Sequence, residues 1–195
     1  MTTAAPPVLL TDVALECIAA YGVRKTTVSD VADRAGVSRS TVYRAFGDKE
    51  GLMTAVAAAE MTRFLDEFAR TVPWDAPLPE TLEQAVGFTM HYLQNHAAFQ
   101  RVLRDEPEQL IDLVVERPTE HERSLHPLLR TAAAERLKSA RYRFRVPTEQ
   151  AAEWLLRVSL SLLLAPTTSL RTPAEIADLI LHGIGSDPPR VAPAE

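Results

Sequence analysis

Apolar residues recur at helical intervals along most of the 195-residue chain. Leu10, Val13, Ala14, Cys17, Ile18 and Tyr21 share one face of a first helix, and Gly22 supplies its stop. Val28, Val31, Ala32 and Ala35 make a second, shorter stripe closed by Gly36, and Val42, Ala45 and Phe46 make a third closed by Gly47. Helices this short are marginal alone, so the three are expected to pack on one another. Asp48 opens a longer helix through Leu52, Val56, Ala59, Phe64 and Phe68 to Thr71, which ends before Pro73.

With Pro73, Pro77 and Pro79 around it, the segment 74–79 reads as a hinge. Beyond it Leu82, Ala85, Val86, Met90 and Leu93 predict a helix over 80–95, and Phe99, Val102 and Leu103 continue the pattern to Pro107. Residues 110–115 and 125–137 predict further helices, with Pro118 between them and Pro127 expected to kink or break the second. The last two are better marked. One covers 148–164, between Pro147 and Pro166; the other covers 172–184, where Thr172, Pro173 and Glu175 supply an N-cap, a first-turn proline and a capping-box partner. No stretch alternates with the period of a strand. The expected fold class is all-α, a three-helix N-terminal domain followed by a larger helical one: residues 1–7 flexible, 8–52 a helix-turn-helix domain, 48–71 a connecting helix, 73–185 the C-terminal domain, and 186–195 a disordered Pro-rich tail.

The net charge of -5 hides an asymmetry. Between Arg24 and Lys49 lie six basic residues (Arg24, Lys25, Arg34, Arg39, Arg44, Lys49) against three acidic ones (Asp30, Asp33, Asp48), a local +3 that leaves -8 for the rest. A polyanion is therefore drawn to one end of the molecule. The single cysteine, Cys17, falls on the apolar stripe of the first helix and reads as a small buried hydrophobe. One cysteine permits no intrachain disulfide and suits a reducing cytoplasm. Residues 1–7 lack a basic n-region and a cleavage pattern, and no apolar run reaches the ~18 residues of a membrane span, so no membrane partner is expected. No GxSxG elbow, phosphate-cradling glycine loop, HExxH pair or Cys/His set is present; the chain is expected to be no enzyme and to need no cofactor.

The segment 27–46 carries the most specific chemistry. Thr27 can cap the second helix with Asp30 as its reciprocal partner, and Ser38 can cap the third. Val37 and Val42 flank the second cap at the spacing of a hydrophobic staple, which fixes how the chain enters the third helix. With Val42, Ala45 and Phe46 turned inward, Ser40, Tyr43 and Arg44 point outward, and Arg39 and Thr41 flank them. Such a face suits the major groove, where Arg makes bidentate contacts to guanine and Ser or Thr reaches either base type. Phosphate contacts are expected from Thr27, from the Tyr43 hydroxyl and from Lys49. The plainer alternative is a helical corner whose polar face meets only water.

Residues 8–52 resemble the DNA-binding domain of the TetR family of bacterial transcriptional regulators. The resemblance rests on Thr26-Thr27-Val28-Ser29-Asp30-Val31-Ala32, then Ala35-Gly36-Val37-Ser38, Val42-Tyr43, and Phe46 with Asp48-Lys49-Glu50 and Leu52. It implies an all-α homodimer, usually a repressor, with a small-molecule pocket in the C-terminal body and a dimer interface on the last two long helices. Carried over by position, Thr27, Tyr43 and Lys49 contact phosphates, and residues 38–44 (Ser38, Arg39, Ser40, Thr41 and Arg44 among them) face the bases of a palindromic operator in double-stranded DNA. One departure is Arg39-Ser40-Thr41, where a small residue or glycine is common; the operator sequence is therefore not readable.

In the C-terminal part, 151–164 is apolar on more than one face through Trp154, Leu155, Val158, Leu162 and Leu163, and the final helix adds Ile176, Leu179, Ile180 and Ile184. A helix too apolar for one buried face wants a second partner. This excess and the resemblance together assign 148–164 and 172–184 to a homodimer interface, with core helices of a monomer as the alternative. Phe88, His91, Tyr92, His96, Phe99, Arg101, Trp154 and Arg157 mix aromatic and polar character among apolar positions and are candidates to line an effector pocket. No two of His91, His96, His121, His126 and His182 have the i, i+4 spacing of paired ligands on one helix turn, and no metal is expected. The basic run Lys138, Arg141, Arg143 and Arg145, ahead of Pro147, is a second candidate nucleic-acid patch, for which a solvated connection is the preferred reading. The function expected is repression relieved by a small molecule; the alternatives are a helical protein-interaction module or a nonspecific DNA binder without ligand response.

Overall fold

The computed structural model describes residues 7–114, 126–139, 144, 146–164 and 172–184. Pro118, His121, Arg141, Arg143, Arg145, and the segments 1–6 and 186–195 lie outside the described residues, as do the side chains of His126, Leu162, Leu163 and Ile184. In chain order the helices are α1 (Pro7–Tyr21), α2 (Val28–Ala35), α3 (Arg39–Phe46), α4 (Lys49–Thr71), α5 (Leu78–Asn95), α6 (Ala97–Asp105), α7 (Pro107–Val114), α8 (His126–Ser139), α9 (Thr148–Leu164) and α10 (Pro173–Ile184). The described residues contain no strand, and the fold is all-α. They fall into two compact units. The first takes the residues through Ala69 together with those from Tyr92 to Val114, and the second takes Arg70–His91 together with those from His126 onward. The contacts thus group 92–114 with the N-terminal helices, whereas the hydrophobic pattern alone suggests a single division near residue 73.

In the first unit, Leu10, Val13, Ala14, Cys17 and Ile18 of α1 pack with Val28, Val31 and Ala32 of α2, Val42 of α3, Leu52 and Val56 of α4, and Ala98 and Val102 of α6. Tyr21, placed on the same α1 stripe by the pattern, stands 46% exposed at the helix end. Gly36 takes φ +67, and its N–H reaches back to the carbonyls of Ala32 and Asp33, so α2 stops in a left-handed turn that a side chain would strain. Gly51 matters for space instead: a Cβ there would lie 2.1 Å from the Phe46 carbonyl oxygen. That closeness lets the first turn of α4 sit directly against the end of α3.

Two prolines and one histidine redraw the expected boundaries. The pattern running from 80 to Pro107 divides at His96, whose backbone leaves the helical region and whose ring Nδ1 accepts the Phe99 N–H, capping α6. Pro107 begins α7 as a first-turn proline. Pro127, expected to kink a helix, instead occupies the first turn of α8, where its missing N–H removes no intrahelical bond.

The second unit has its own core: Leu78 and Leu82 of α5, Ala134 and Leu137 of α8, Ala151 and Ala152 of α9, and Ile176, Ala177 and Ile180 of α10. Thr81 donates to the Pro73 carbonyl at 2.8 Å, pinning the start of α5. Thr172 and Glu175 form the reciprocal cap expected of α10, with N to Oε2 at 3.0 Å and N to Oγ1 at 3.2 Å. Leu179 on α10 is 55% exposed, whereas Trp154 and Leu155 are half-buried against the core.

Candidate nucleic-acid interface

Both ends of the α2–turn–α3 element are held by local side-chain bonds. Thr27 is extended (φ -116, ψ 159), and its Oγ1 accepts the Asp30 N–H at 3.2 Å and donates to Asp30 Oδ2 at 2.7 Å. Asp30 Oδ2 accepts the Thr27 N–H at 2.8 Å, completing a capping box. The Thr27 hydroxyl, its N–H and then the nearby charges of Arg39 and Lys49 hold the Asp30 carboxyl below its ordinary range. Arg39 and Lys49 are therefore brought within electrostatic reach of the start of α2. The single Thr27 hydroxyl proton is already engaged, so a phosphate can take it only in exchange for Asp30.

Ser38 caps α3 by accepting the Thr41 N–H at 3.2 Å, and its Oγ lies 2.8 Å from Ser40 Oγ and 2.9 Å from Thr41 Oγ1. Val37 and Val42 pack into one cluster, as a staple requires. Val42 is 1% exposed and Tyr43 is 50% exposed. Arg39, Ser40 and Arg44 are exposed, and Thr41 is half-buried. Ala45 departs from expectation: it is exposed, and only Val42 and Phe46, one turn apart, face the core. A helix of eight residues lying on its neighbours along one row leaves the rest of its circumference open.

The charges of this region divide by use. Arg34 pairs with Glu16 at 2.8 Å, Arg24 pairs with Glu108, and Lys49 Nζ donates to the Arg24 carbonyl at 2.8 Å. Among the described residues, Arg39 and Arg44 have no carboxylate within ion-pairing distance. Arg39, Ser40, Tyr43 and Arg44 thus present donors from one exposed helix face.

The residues expected at an effector pocket are distributed over both units. In the first, Tyr92 meets Phe64 edge-on with centroids 5.2 Å apart, Phe68 stacks on Phe64 at 5.6 Å, and Phe99 is half-buried. His96 is occupied within the fold. Its Nε2 lies 2.6 Å from Glu60 Oε2 while Nδ1 accepts a backbone N–H, which the neutral ring protonated on Nε2 satisfies completely. Arg63 pairs with both Glu60 and Asp12. Burial opposes ionisation of Glu60, but the His96 bond and the Arg63 charge outweigh it and hold the carboxyl below its ordinary range. Burial, with the charges of Glu60 and Glu67, pushes the Tyr92 phenol up. Arg101 lies 2.9 Å from Asp105. In the second unit Phe88 and Trp154 are half-buried, His91 is exposed, and Arg157 is exposed and paired with Glu153 at 2.7 Å. A cleft of about 350 Å³ lies between α8 and α9; charged side chains line it, Lys138 bridges to Glu149 at 3.0 Å, and Glu153 pairs with the expected pocket residue Arg157. Among the described residues no three His, Cys, Asp or Glu side chains gather as a metal site would require.

Residues 10–56 match the family model of bacterial regulatory proteins, tetR family. An uncharacterized HTH-type transcriptional regulator of Mycobacterium tuberculosis is 32% identical over 93 residues, 48% of this chain and 47% of that protein. The segment 10–56 is thus similar to the DNA-binding domain of TetR-family regulators. Another relative, the HTH-type transcriptional repressor KstR2 of Rhodococcus jostii, is 26% identical over 102 residues, 52% of this chain and 50% of KstR2. The chain spans about half the length of the curated relatives it matches. Its fold is like that of the TetR family repressor AlkX from Dietzia sp., implicated in biodegradation of n-alkanes, with a TM-score of 0.65 over 91% of this chain and 94% of AlkX at 20% identity. No described helix is long and apolar enough to cross a membrane.

Proposed function

We propose that this protein is a sequence-specific DNA-binding transcriptional repressor of the TetR family that acts in the cytoplasm as a homodimer. The observation that carries the proposal is the exposed face of α3, where, among the described residues, Arg39 and Arg44 form no ion pair with a carboxylate, beside Ser40 and Tyr43. Unpaired guanidinium groups on a rigid, capped helix suit guanine O6 and N7 in the major groove. Ser38 and Thr41 reach bases at the entry of the helix, and Thr27, Tyr43 and Lys49 grip phosphates at its edges. Two such heads in a dimer read half-sites in successive major grooves, about 34–36 Å apart, so the operator is palindromic. The exposed Leu179 on α10 supports α9 and α10 as the dimer surface. KstR2 and AlkX, both named as repressors, favour repression.

A small molecule bound outside the heads releases the operator by favouring a head spacing that the half-sites no longer match. A differential affinity of ~3 kcal/mol between the two arrangements changes occupancy about a hundredfold. Selection of bound duplexes from random genomic DNA, followed by footprinting at two salt concentrations, tests the proposal. The expected result is a protected palindrome bound far more tightly than random DNA. Salt-sensitive binding with no sequence preference would leave a nonspecific binder, and no binding at all would leave a protein-interaction module.

A further inference from the structure

Glu106 is the only charged side chain in the buried class among the described residues, at 7% exposure. A carboxylate in so dry a place is costly unless its oxygens are occupied. It sits between α6 and α7, its N–H bonded to the Val102 carbonyl at 2.8 Å and its carbonyl accepting the Gln109 N–H at 3.0 Å, so its backbone is fixed from both sides. From there the carboxylate reaches the loop after α1 and accepts the Arg24 N–H, at 3.1 Å to one oxygen and 3.4 Å to the other. The loop closes on it through Gly22, which has φ +85 and where a Cβ would stand 2.4 Å from Glu106 Oε1. Thr26, fully buried, binds the Gly22 carbonyl through both its N–H and its hydroxyl, at 3.2 and 2.7 Å.

What this loop holds is the reason to assign Glu106 a role beyond packing. The Arg24 carbonyl accepts Lys49 Nζ at 2.8 Å, and the same loop delivers Thr27 to the cap of α2. A lysine ammonium has three donors, so the bond to Arg24 leaves two for a phosphate. A free lysine loses rotamer freedom when it makes such a contact; one already tethered loses less. We propose that Glu106 is a positioning residue for DNA binding, fixing Arg24 so that its carbonyl holds the Lys49 ammonium in place beside the start of α2. This rests on the reading of α2–α3 as a DNA-binding element.

The test is a double-mutant cycle on the full chain. The parent, Glu106→Ala, Lys49→Ala and the double variant are titrated, over a salt series, against a duplex that the parent has selected from random-sequence DNA. Thermal melts confirm that each variant is folded at the temperature used. Each single variant is expected to weaken binding on the order of tenfold and to reduce the slope of log affinity against log salt by about one. The double variant should bind no more weakly than Lys49→Ala. Glu106→Gln, which keeps length and an acceptor oxygen, should restore most of the affinity and the slope, and it substitutes in the cycle if Glu106→Ala does not fold. Two results would overturn the proposal: a lowered melting temperature with affinity and slope unchanged, or an equal loss from Glu106→Ala with and without Lys49. A parent that selects no sequence overturns the DNA reading itself, and the role of Glu106 with it.

Discussion

The α3 face and the polar seam of α4 and α6 use the same residue types in opposite ways. In the seam, Arg63 is consumed by Asp12 and Glu60, and Glu60 in turn by His96, whose second ring nitrogen caps α6. On α3, Arg39 and Arg44 are exposed and form no ion pair with a carboxylate among the described residues. A guanidinium with a protein partner holds the fold; one without is available to an external anion. The local +3 of residues 24–49 therefore overstates the binding charge, because Arg24 and Arg34 are already paired.

This contrast yields a double dissociation. The largest effect should come from Arg44→Glu, which sets a negative charge against the phosphates and bases: affinity for a selected operator falls by at least about a hundredfold, while melting temperature and dimer mass, read by sedimentation, stay at parental values. Arg63→Ala should do the reverse, costing about 1–2 kcal/mol of unfolding free energy, moderated by the partial exposure of Arg63. DNA affinity should hold wherever the variant is folded. A comparable loss of DNA affinity in both variants would erase the distinction between the two regions.

His96→Ala removes the α6 cap and one partner of Glu60, for about 1 kcal/mol seen in denaturant unfolding. The smallest effect concerns acid. Because the Glu60 carboxyl is held below its ordinary value in the folded protein, it contributes stability that is present above the unfolded value and is lost as pH falls through the folded one. Melting temperature should therefore decline as pH drops below about 4.3, and Glu60→Gln should flatten that decline. An unchanged acid limb in the glutamine variant would contradict the assignment.

The features legible in the sequence are local ones. The caps at Thr27, Ser38 and Thr172, the Val37–Val42 staple and the turn at Gly36 each involve residues within about a turn of one another, so spacing alone encodes them. Ala45 escapes the pattern because periodicity gives a helix an apolar stripe but not the width of its contact. His96 reads as part of a continuous helix because its neighbours keep the period; only the ring bond to Phe99 and the partner at Glu60, 36 residues earlier, reveal the break. Glu106 leaves no local signal, since its partner Arg24 lies 82 residues away. The proposed pocket residues share a chemical type, and type does not say that His96 is occupied as a cap or that Arg157 is paired with Glu153.

Entry of α3 into the major groove is the step on which the proposed function most depends, and methylation interference on a selected duplex probes it directly. Methylating guanine N7 blocks the acceptor that Arg39 or Arg44 would use, whereas methylating adenine N3 blocks only the minor groove. Guanine N7 methylation is expected to abolish binding at two symmetric sets of positions about one helical turn apart, and Arg44→Ala to remove sensitivity at the guanine it contacts. Interference confined to adenine N3, or none at any base despite tight binding, would contradict groove entry by α3.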